Sequence, residues 1–102
     1  MVKEIRNNNM DDVKKAHIAV VDFNATWCGP CRMLAPIIEE LSNEMSDCEF
    51  FACDVDDNGT LAQAFGIQSI PAVGVFKDGI FIDMAVGFRP KAQMKQFIEA
   101  AK

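Results

Sequence analysis

The most informative part of the chain is the segment from residue 18 to residue 45, which reads IAVVDFNATWCGPCRMLAPIIEELSNEM. Ile18–Phe23 is rich in β-branched residues and apolar on both faces, which is typical of a strand buried in the middle of a sheet. From about residue 29 to residue 45, apolar residues recur at spacings of three and four, which predicts an amphipathic helix. Pro36 lies inside this helix and should bend it, because proline removes one backbone hydrogen bond. The predicted core positions are Met33, Leu34, Ile37, Ile38, Leu41 and Met45.

Shorter elements are predicted on both sides of this strand and helix. We expect an edge strand at Val2–Ile5 and at most two helical turns over Met10–Lys15. Pro90 should open the last helix. The order β α β α β α β β α predicts an α/β fold, with a central mixed sheet of about five strands flanked by about four helices on both faces. The other elements are strands at Glu49–Val55, Ala72–Phe76 and Ile80–Val86, a short helix from the Asp56–Gly59 turn through Ala64, and a hairpin turn at Lys77–Gly79.

The composition is that of one soluble globular domain. The chain has 102 residues, of which 50% are hydrophobic and 25% charged, so we expect a single domain over residues 1–102. The net charge of −5 disfavours binding to nucleic acid, which requires a basic surface. No apolar run is long enough for a signal peptide or a membrane span. We therefore expect a cytoplasmic monomer that does not bind membranes.

The cysteines point to redox chemistry. Four cysteines are too few for a secreted disulfide scaffold, so they should be metal ligands, reactive thiols or buried side chains. Residues three apart on a helix have Cβ atoms about 5–6 Å apart, so Cys28 and Cys31 can alternate between dithiol and disulfide. Cys28 should be the nucleophile, because the helix N-terminus stabilises a thiolate. We also expect Cys28 to be the exposed cysteine of the pair. Cys31, one turn later and facing the protein, should resolve the mixed disulfide.

Asp22 is the second chemical signal. It interrupts the apolar strand six residues before Cys28. Burial should raise the pKa of this carboxyl, and its position allows it to exchange a proton with Cys31. The alternative is a buried aspartate held by structural hydrogen bonds.

Residues 21–36 resemble the active-site signature of the thioredoxin family nearly throughout. The resemblance covers essentially the whole chain and implies a thioredoxin fold. It also implies a thiol–disulfide oxidoreductase that reduces protein disulfides, needs no cofactor and receives its electrons from a thioredoxin reductase. The downstream segments similar to the family are Asp54–Asp56, Gly66–Ala72, Lys77–Gly79 and Val86–Gly87.

The resemblance also implies roles for individual residues. Cys28 would be the attacking thiol, Cys31 the resolving thiol and Asp22 the buried acid or base. Pro71 would be a cis-proline facing the disulfide, and the residues between the two cysteines would tune the reduction potential. The backbone of Ile70 would pair with the substrate like an added strand. The implied substrate-binding patch consists of Trp27, Gly29, Pro30, Ile70, Pro71 and Gly87.

Three features depart from the family pattern. Ala52 stands where many bacterial thioredoxins have a lysine near the buried acid, so Asp22 lacks a possible charge partner and its pKa should rise further. Asn24 stands where the family often has an aromatic residue or serine. The segment before Asp22 is also a few residues short, which predicts a stunted first helix.

Other interpretations remain open for some of these residues. The spacing of the four cysteines loosely resembles a zinc site, and Asp54–Gly59 resembles half of a calcium loop that lacks its final glutamate. Neither metal is expected. Cys53 is predicted to be a buried small side chain, whereas Cys48 could be an exposed thiol with a regulatory role. His17 is predicted to be solvated or capped.

The alternative to the enzyme is a thioredoxin-fold binding subunit that clamps a partner through the patch around Trp27 and Pro71.

Overall fold

The computed structural model describes residues 1–102. The order of its elements is the predicted one. The strands are β1 (Val2–Glu4), β2 (Ile18–Asn24), β3 (Glu49–Asp54), β4 (Ala72–Lys77) and β5 (Ile80–Val86). The helices are α1 (Asp11–Lys15), α2 (Gly29–Glu44), α3 (Gly59–Ala64) and α4 (Lys91–Ala101). None of them is both long and apolar enough to cross a membrane.

The five strands form one mixed sheet in the order β1-β3-β2-β4-β5. β3 pairs in parallel with β1 and β2, whereas β4 pairs antiparallel with β2 and β5. The predicted central strand is confirmed, since β2 lies between β3 and β4 and six of its seven residues are buried. Because β2 leads directly into α2, the sequence between them lies at the carboxyl edge of the sheet, where open α/β sheets place their functional sites.

Apolar side chains cover both faces of the sheet. On one face, Val13 of α1 and Leu61 of α3 pack against Val21, Phe23 and other sheet residues. On the opposite face, α2 and α4 pack against the sheet and enclose Ile18 and Val20 of β2. The predicted arrangement, an α/β fold with helices on both faces, is therefore confirmed.

Local details differ from the sequence prediction. The long helix runs through Pro36 and ends at Glu44, one residue earlier than predicted. The prediction for Met33 is wrong, because its side chain is exposed rather than in the core. The hairpin turn consists only of Asp78 and Gly79, which have φ angles of 52° and 81°. The first helix has only five residues, as the short segment before Asp22 predicts.

The start of α3 is held by asparagines from two parts of the chain. The sequence predicts that the Asp56–Gly59 turn caps this helix, but the side chain of Asn58 makes no capping bond. Instead the Oδ1 of Asn8 accepts a hydrogen bond from the N–H of Leu61 at 3.1 Å. The enclosed Asn58 amide donates to the carbonyls of Ile5 and Asp54 and accepts from the N–H of Asn8. This network ties the loop after β1 to the turn after β3.

Candidate active site

The two cysteines of the CxxC motif form a disulfide at the first turn of α2. Their Cα atoms are 5.3 Å apart, so the helical spacing predicted from the sequence suffices for the bond. Cys28 is the N-cap residue, and its Sγ accepts a hydrogen bond from the N–H of Cys31 at 3.3 Å. Pro30 lies in the first turn, where the helix needs no N–H from it. Unpaired backbone N–H groups at this end favour negative charge on the Cys28 sulfur.

Exposure does not separate the two cysteines. The prediction that Cys28 is the exposed one is wrong for this disulfide form, because Cys28 is 5% exposed and Cys31 is 3% exposed. Both pack with Ala25, and the partly buried side chains of Val55 and Ile70 cover them. A difference in reactivity must therefore come from the electrostatics of the helix end and from the direction of approach.

Asp22 is enclosed beneath this helix. It is 3% exposed, and it follows Ile18 and Val20 at alternate positions of β2, so it shares their face of the sheet, the one that α2 covers. Its Oδ1 has no hydrogen-bond partner. Burial raises the pKa of Asp22 from its ordinary value of 3.8 to about 7, and the Asn24 side chain opposes this rise. A carboxyl that titrates near neutral pH can both accept and return a proton under physiological conditions.

The two sequence departures lie directly beside this acid. Ala52 is the β3 partner of Asp22 in the sheet register, so it offers a methyl group where a lysine would bring a cation. Asn24, two residues beyond Asp22, donates its amide to the Asp22 backbone carbonyl at 3.0 Å. A cavity of about 240 Å³, lined by Asn24, Cys31 and Ala52 among others, occupies this side of the site. The pKa of Asp22 is thus raised by burial without a lysine at position 52 to oppose it.

The remaining residues of the implied patch connect to the disulfide through Ile70, which packs against it. The Ile70–Pro71 bond is cis, as the resemblance implies, and the carbonyl oxygen of Ile70 lies 3.9 Å from the Cys28 sulfur. Gly87 has a φ of 94° and donates its N–H to the Pro71 carbonyl at 2.7 Å, which brings the end of β5 to the same loop. Trp27 is among the most exposed large apolar side chains. The sequence stretches around residues 27–31, 70–71 and 87 therefore converge on one surface.

One hydrogen bond at this surface has no counterpart in the sequence analysis. The indole Nε1–H of Trp27 donates to the Asp56 Oδ2 at 2.8 Å, which fixes the exposed ring beside the disulfide. No local pattern signals this bond, because 29 residues separate the partners. The parallel pairing of β2 and β3 brings their carboxyl ends together and creates it.

The other candidate groups lie elsewhere. Cys53 is buried as predicted, but the prediction of an exposed Cys48 is wrong, since that residue is also buried. Burial raises the pKa of both thiols to about 11. His17 is exposed and bonds to Asp78 at 2.9 Å. No cluster of three or more histidine, cysteine, aspartate or glutamate side chains has the geometry to hold a metal ion.

Comparison with known proteins gives a consistent result. Residues 1–100 match the protein family described as Thioredoxin. The chain is 41% identical to the thioredoxin of Staphylococcus saprophyticus, over 96% of this chain and 95% of that protein. It is 38% identical to the thioredoxin of Listeria monocytogenes, over 96% of each chain. The solved structure of Plasmodium falciparum thioredoxin superposes with a TM-score of 0.90 at 32% identity, covering 99% of this chain and all of that one.

Proposed function

This chain belongs to the thioredoxin family and is a thiol–disulfide oxidoreductase of the protein-disulfide reductase type, and we propose that Cys28, Cys31 and Asp22 divide its chemistry between them. The observation that carries the proposal is the Cys28–Cys31 disulfide at the N-terminus of α2, above a buried carboxyl. The following steps start from the reduced form of this pair.

Cys28 acts first. Its thiolate attacks one sulfur of the substrate disulfide, forms a mixed disulfide and releases the other substrate sulfur as a thiolate, which takes a proton from solvent. Two features support Cys28 in this role. It is the N-cap residue, and its sulfur accepts the Cys31 N–H, an interaction that favours the charged form.

Cys31 acts second. Its thiol gives a proton to the Asp22 carboxylate and attacks the Cys28 sulfur, which releases the second substrate thiolate and leaves the Cys28–Cys31 disulfide. Two electrons have then passed from the protein to the substrate. A pKa near 7 suits Asp22 to this transfer, since the carboxylate is a stronger base than an ordinary one and is still available at neutral pH.

The patch around the disulfide orients the substrate. Trp27, Ile70, Pro71 and Gly87 form the docking surface beside the Cys28 sulfur, and the Ile70 backbone pairs with an extended substrate segment. Gly29 and Pro30 tune the reduction potential through the conformation of the turn. The 3.9 Å distance between the Ile70 oxygen and the Cys28 sulfur supports this arrangement, because it leaves the substrate backbone close to the reacting atoms.

The protein partners follow from the alternation of Cys28 and Cys31 between dithiol and disulfide. A thioredoxin reductase restores the dithiol, and disulfide-containing proteins oxidise it. We place the chain in the cytoplasm, because its two further cysteines remain unpaired and its only disulfide is the reactive one. We propose that it acts there as a single-domain monomer.

An insulin-reduction assay tests the function. With dithiothreitol, or with NADPH and a thioredoxin reductase, the protein should accelerate reduction of insulin disulfides far beyond a variant in which Cys28 and Cys31 are both serine. Equal rates for the two proteins, together with retained binding to disulfide proteins, would support the alternative of a clamping subunit.

A further inference from the structure

Asn24 lies beside the buried acid and has no role in the steps proposed above. It is the last residue of β2 and follows Asp22 at an alternate position, so both side chains lie on the face of the sheet that α2 covers. Asn24 is partly buried, and its amide donates a hydrogen bond to the backbone carbonyl of Asp22 at 3.0 Å. A carbonyl oxygen can only accept, so the group that faces Asp22 is the amide nitrogen and not the amide oxygen.

This amide nitrogen has a second hydrogen to donate, and the acid beside it lacks a donor. An asparagine side chain carries two N–H donors, of which the Asp22 carbonyl takes one. The Oδ1 of Asp22 is enclosed and has no hydrogen-bond partner. The Asn24 side chain nevertheless acts on this carboxyl, because it opposes the rise in pKa that burial causes. A hydrogen bond from the second N–H would stabilise the ionised form of Asp22.

No cation bonds to this acid. Across the sheet, the register neighbours of Asp22 are Ala52 of β3 and Val73 of β4, which carry no charge. The two arginines near the site are engaged elsewhere: one bonds to Glu4 at 2.7 Å, and the other donates to a backbone carbonyl at 2.9 Å. Asn24 is therefore the one side chain that opposes the effect of burial on this carboxyl. The ionisable groups on the elements packed around Asp22 are Glu4, Arg6, Cys31, Arg32, Cys53 and Asp54.

Asn24 also borders the space that leads from solvent to Cys31. The 240 Å³ cavity beside Cys31 adjoins a polar cleft of about 560 Å³ at the carboxyl ends of β1 and β3, and both are lined by Glu4, Asn24, Thr26 and Ala52. Because residue 52 carries only a methyl group, the space that a longer side chain would fill stays open. A water molecule takes up about 30 Å³ of liquid, so the smaller cavity has room for water beside the amide. The second N–H of Asn24 thus has the carboxylate, or a water that bridges to it, as its acceptor.

We propose that Asn24 is a positioning residue of the reduction step, which holds the ionised Asp22 carboxylate through its second amide N–H, directly or through one water, and so keeps that base available to Cys31 at neutral pH. This inference rests on the role of Asp22 in the proposed function. The proton passes from the Cys31 thiol to the Asp22 carboxylate, and Asn24 keeps both of its amide hydrogens throughout. An uncharged donor thereby replaces the cation that a lysine at position 52 would bring.

Three variants and two measurements test this role. Asn24→Leu keeps the approximate size of the side chain and removes both donors. Asn24→Asp keeps the shape, removes the donors and adds a like charge. Thr26→Val is the matched control, because Thr26 lines the same two cavities and its hydroxyl makes no hydrogen bond to Asp22. The measurements are the titration of the Asp22 carboxyl in the oxidised protein by carbon-13 NMR, and the rate constant of insulin reduction by the pre-reduced protein from pH 6 to pH 9. Urea unfolding checks that each variant is folded.

In the wild type, the titration of Asp22 should have its midpoint at about pH 7. Asn24→Leu should move the midpoint to about pH 8, because a hydrogen bond to a charged group is lost, and Asn24→Asp should move it at least as far. At pH 7, Asn24→Leu should then reduce insulin about fivefold more slowly, since about a tenth of the carboxyl is ionised instead of about half. At pH 9 the two rates should converge. Thr26→Val should leave both measurements unchanged.

A midpoint that stays at the wild-type value in both Asn24 variants would overturn the proposal. A rate that falls by the same factor at every pH would also overturn it, because a merely structural asparagine gives that result. If the midpoint moves but Asp22→Asn reduces insulin with the pH profile of the wild type, the contact exists and the proposal fails because the proposed role of Asp22 fails. If Asn24→Leu does not fold, Asn24→Asp decides by the same criteria.

Discussion

The four cysteines of this chain form two pairs that differ in bonding: one pair is a disulfide and the other two thiols are free. Cys28 and Cys31 lie at a helix N-terminus at the edge of the sheet and are joined in a disulfide. Cys48 immediately precedes β3 and Cys53 lies within it, and they pack into the clusters on opposite faces of the sheet, so they cannot meet. All four residues are buried, so exposure does not distinguish the two pairs, whereas the backbone around them does.

Electrostatics sharpen the contrast. Burial and then the nearby Asp47 raise the pKa of the Cys48 thiol, and burial and then Asp54 raise that of Cys53. The sulfur of Cys28 instead faces backbone N–H groups at a helix N-terminus, which favour its thiolate. The second pair should therefore behave as small apolar side chains, and the first pair as a redox centre.

The strongest test of the contrast is to remove one sulfur at a time. Cys28→Ser should lower insulin reduction by at least about a thousandfold, because the attacking thiolate is lost. Cys31→Ser should also stop turnover but accumulate mixed disulfides with substrates, since nothing resolves them. Mass spectrometry of adducts after mixing with a disulfide protein distinguishes the two variants. A Cys31→Ser variant that forms no adducts would refute the two-step mechanism.

Alkylation of the reduced, folded protein compares all four thiols in one sample. A pKa of about 11 leaves roughly one thiol in ten thousand ionised at pH 7, so Cys48 and Cys53 should react about a hundredfold or more slowly than Cys28. A short iodoacetamide pulse followed by peptide mapping gives the four rates. Similar labelling of Cys28 and Cys31 would contradict the division of roles between them.

Asp22→Asn tests whether the buried acid belongs to the reactive pair. The variant keeps the side-chain volume but cannot accept the Cys31 proton, so disulfide reduction should slow by about tenfold to a hundredfold at pH 7. The pH dependence of the rate should also lose its component near pH 7. Unchanged turnover would make Asp22 a structural residue.

Asp22→Asn should lower the activity but raise the stability of the folded protein at neutral pH. The folded pKa of about 7 lies above the ordinary value of 3.8, so between these pH values the unfolded chain loses the proton that the folded chain keeps. The wild type is therefore destabilised progressively as pH rises from about 4 to 7, by about 4 kcal/mol in total, and Asp22→Asn should be spared this loss. Urea unfolding of the oxidised proteins at pH 4 and pH 8 should show the advantage only at the higher pH.

The smallest effects on activity and stability are expected for substitutions of Cys48 and Cys53. Cys53→Ala should leave insulin reduction unchanged and cost about 1–2 kcal/mol of stability, because it removes one buried sulfur from a packed core. Cys48→Ala should do the same. A loss of turnover in either variant, with stability intact, would show that the pair takes part in the redox cycle.

The structural features of the candidate site that the sequence predicted correctly have local signals. The β2–α2 unit, the helical spacing of the two cysteines and the burial of Asp22 all follow from one continuous segment. The failures concern packing between distant segments. Cys48 is buried although it lies in the loop between α2 and β3, because it packs into the cluster that includes Met94 and Ile98 of the last helix. Met33 is exposed because it lies at the border of the apolar stripe, one position before the core residue Leu34.

Two further features had no local signal at all. The bond from Trp27 to Asp56 depends on the pairing of two strands, and the cap that Asn8 provides for α3 joins residues 53 positions apart. A bulge in β5 likewise emerges only when Ile82 is skipped in the register with β4. Periodicity identifies elements, but the partner of each side chain is fixed by topology.

The enclosed Asn58 side chain also affects how readily this protein deamidates. Asn58 precedes Gly59, and in such a dipeptide the following amide nitrogen readily attacks the side-chain carbonyl, which leads through a succinimide to aspartate or isoaspartate. In the folded chain both ends of the Asn58 amide are hydrogen-bonded, to Ile5, Asp54 and Asn8, so the rotation that ring closure requires is blocked. Deamidation at this bond should therefore occur only in molecules whose α3 region has opened, and its rate would record how often that happens over the lifetime of the protein.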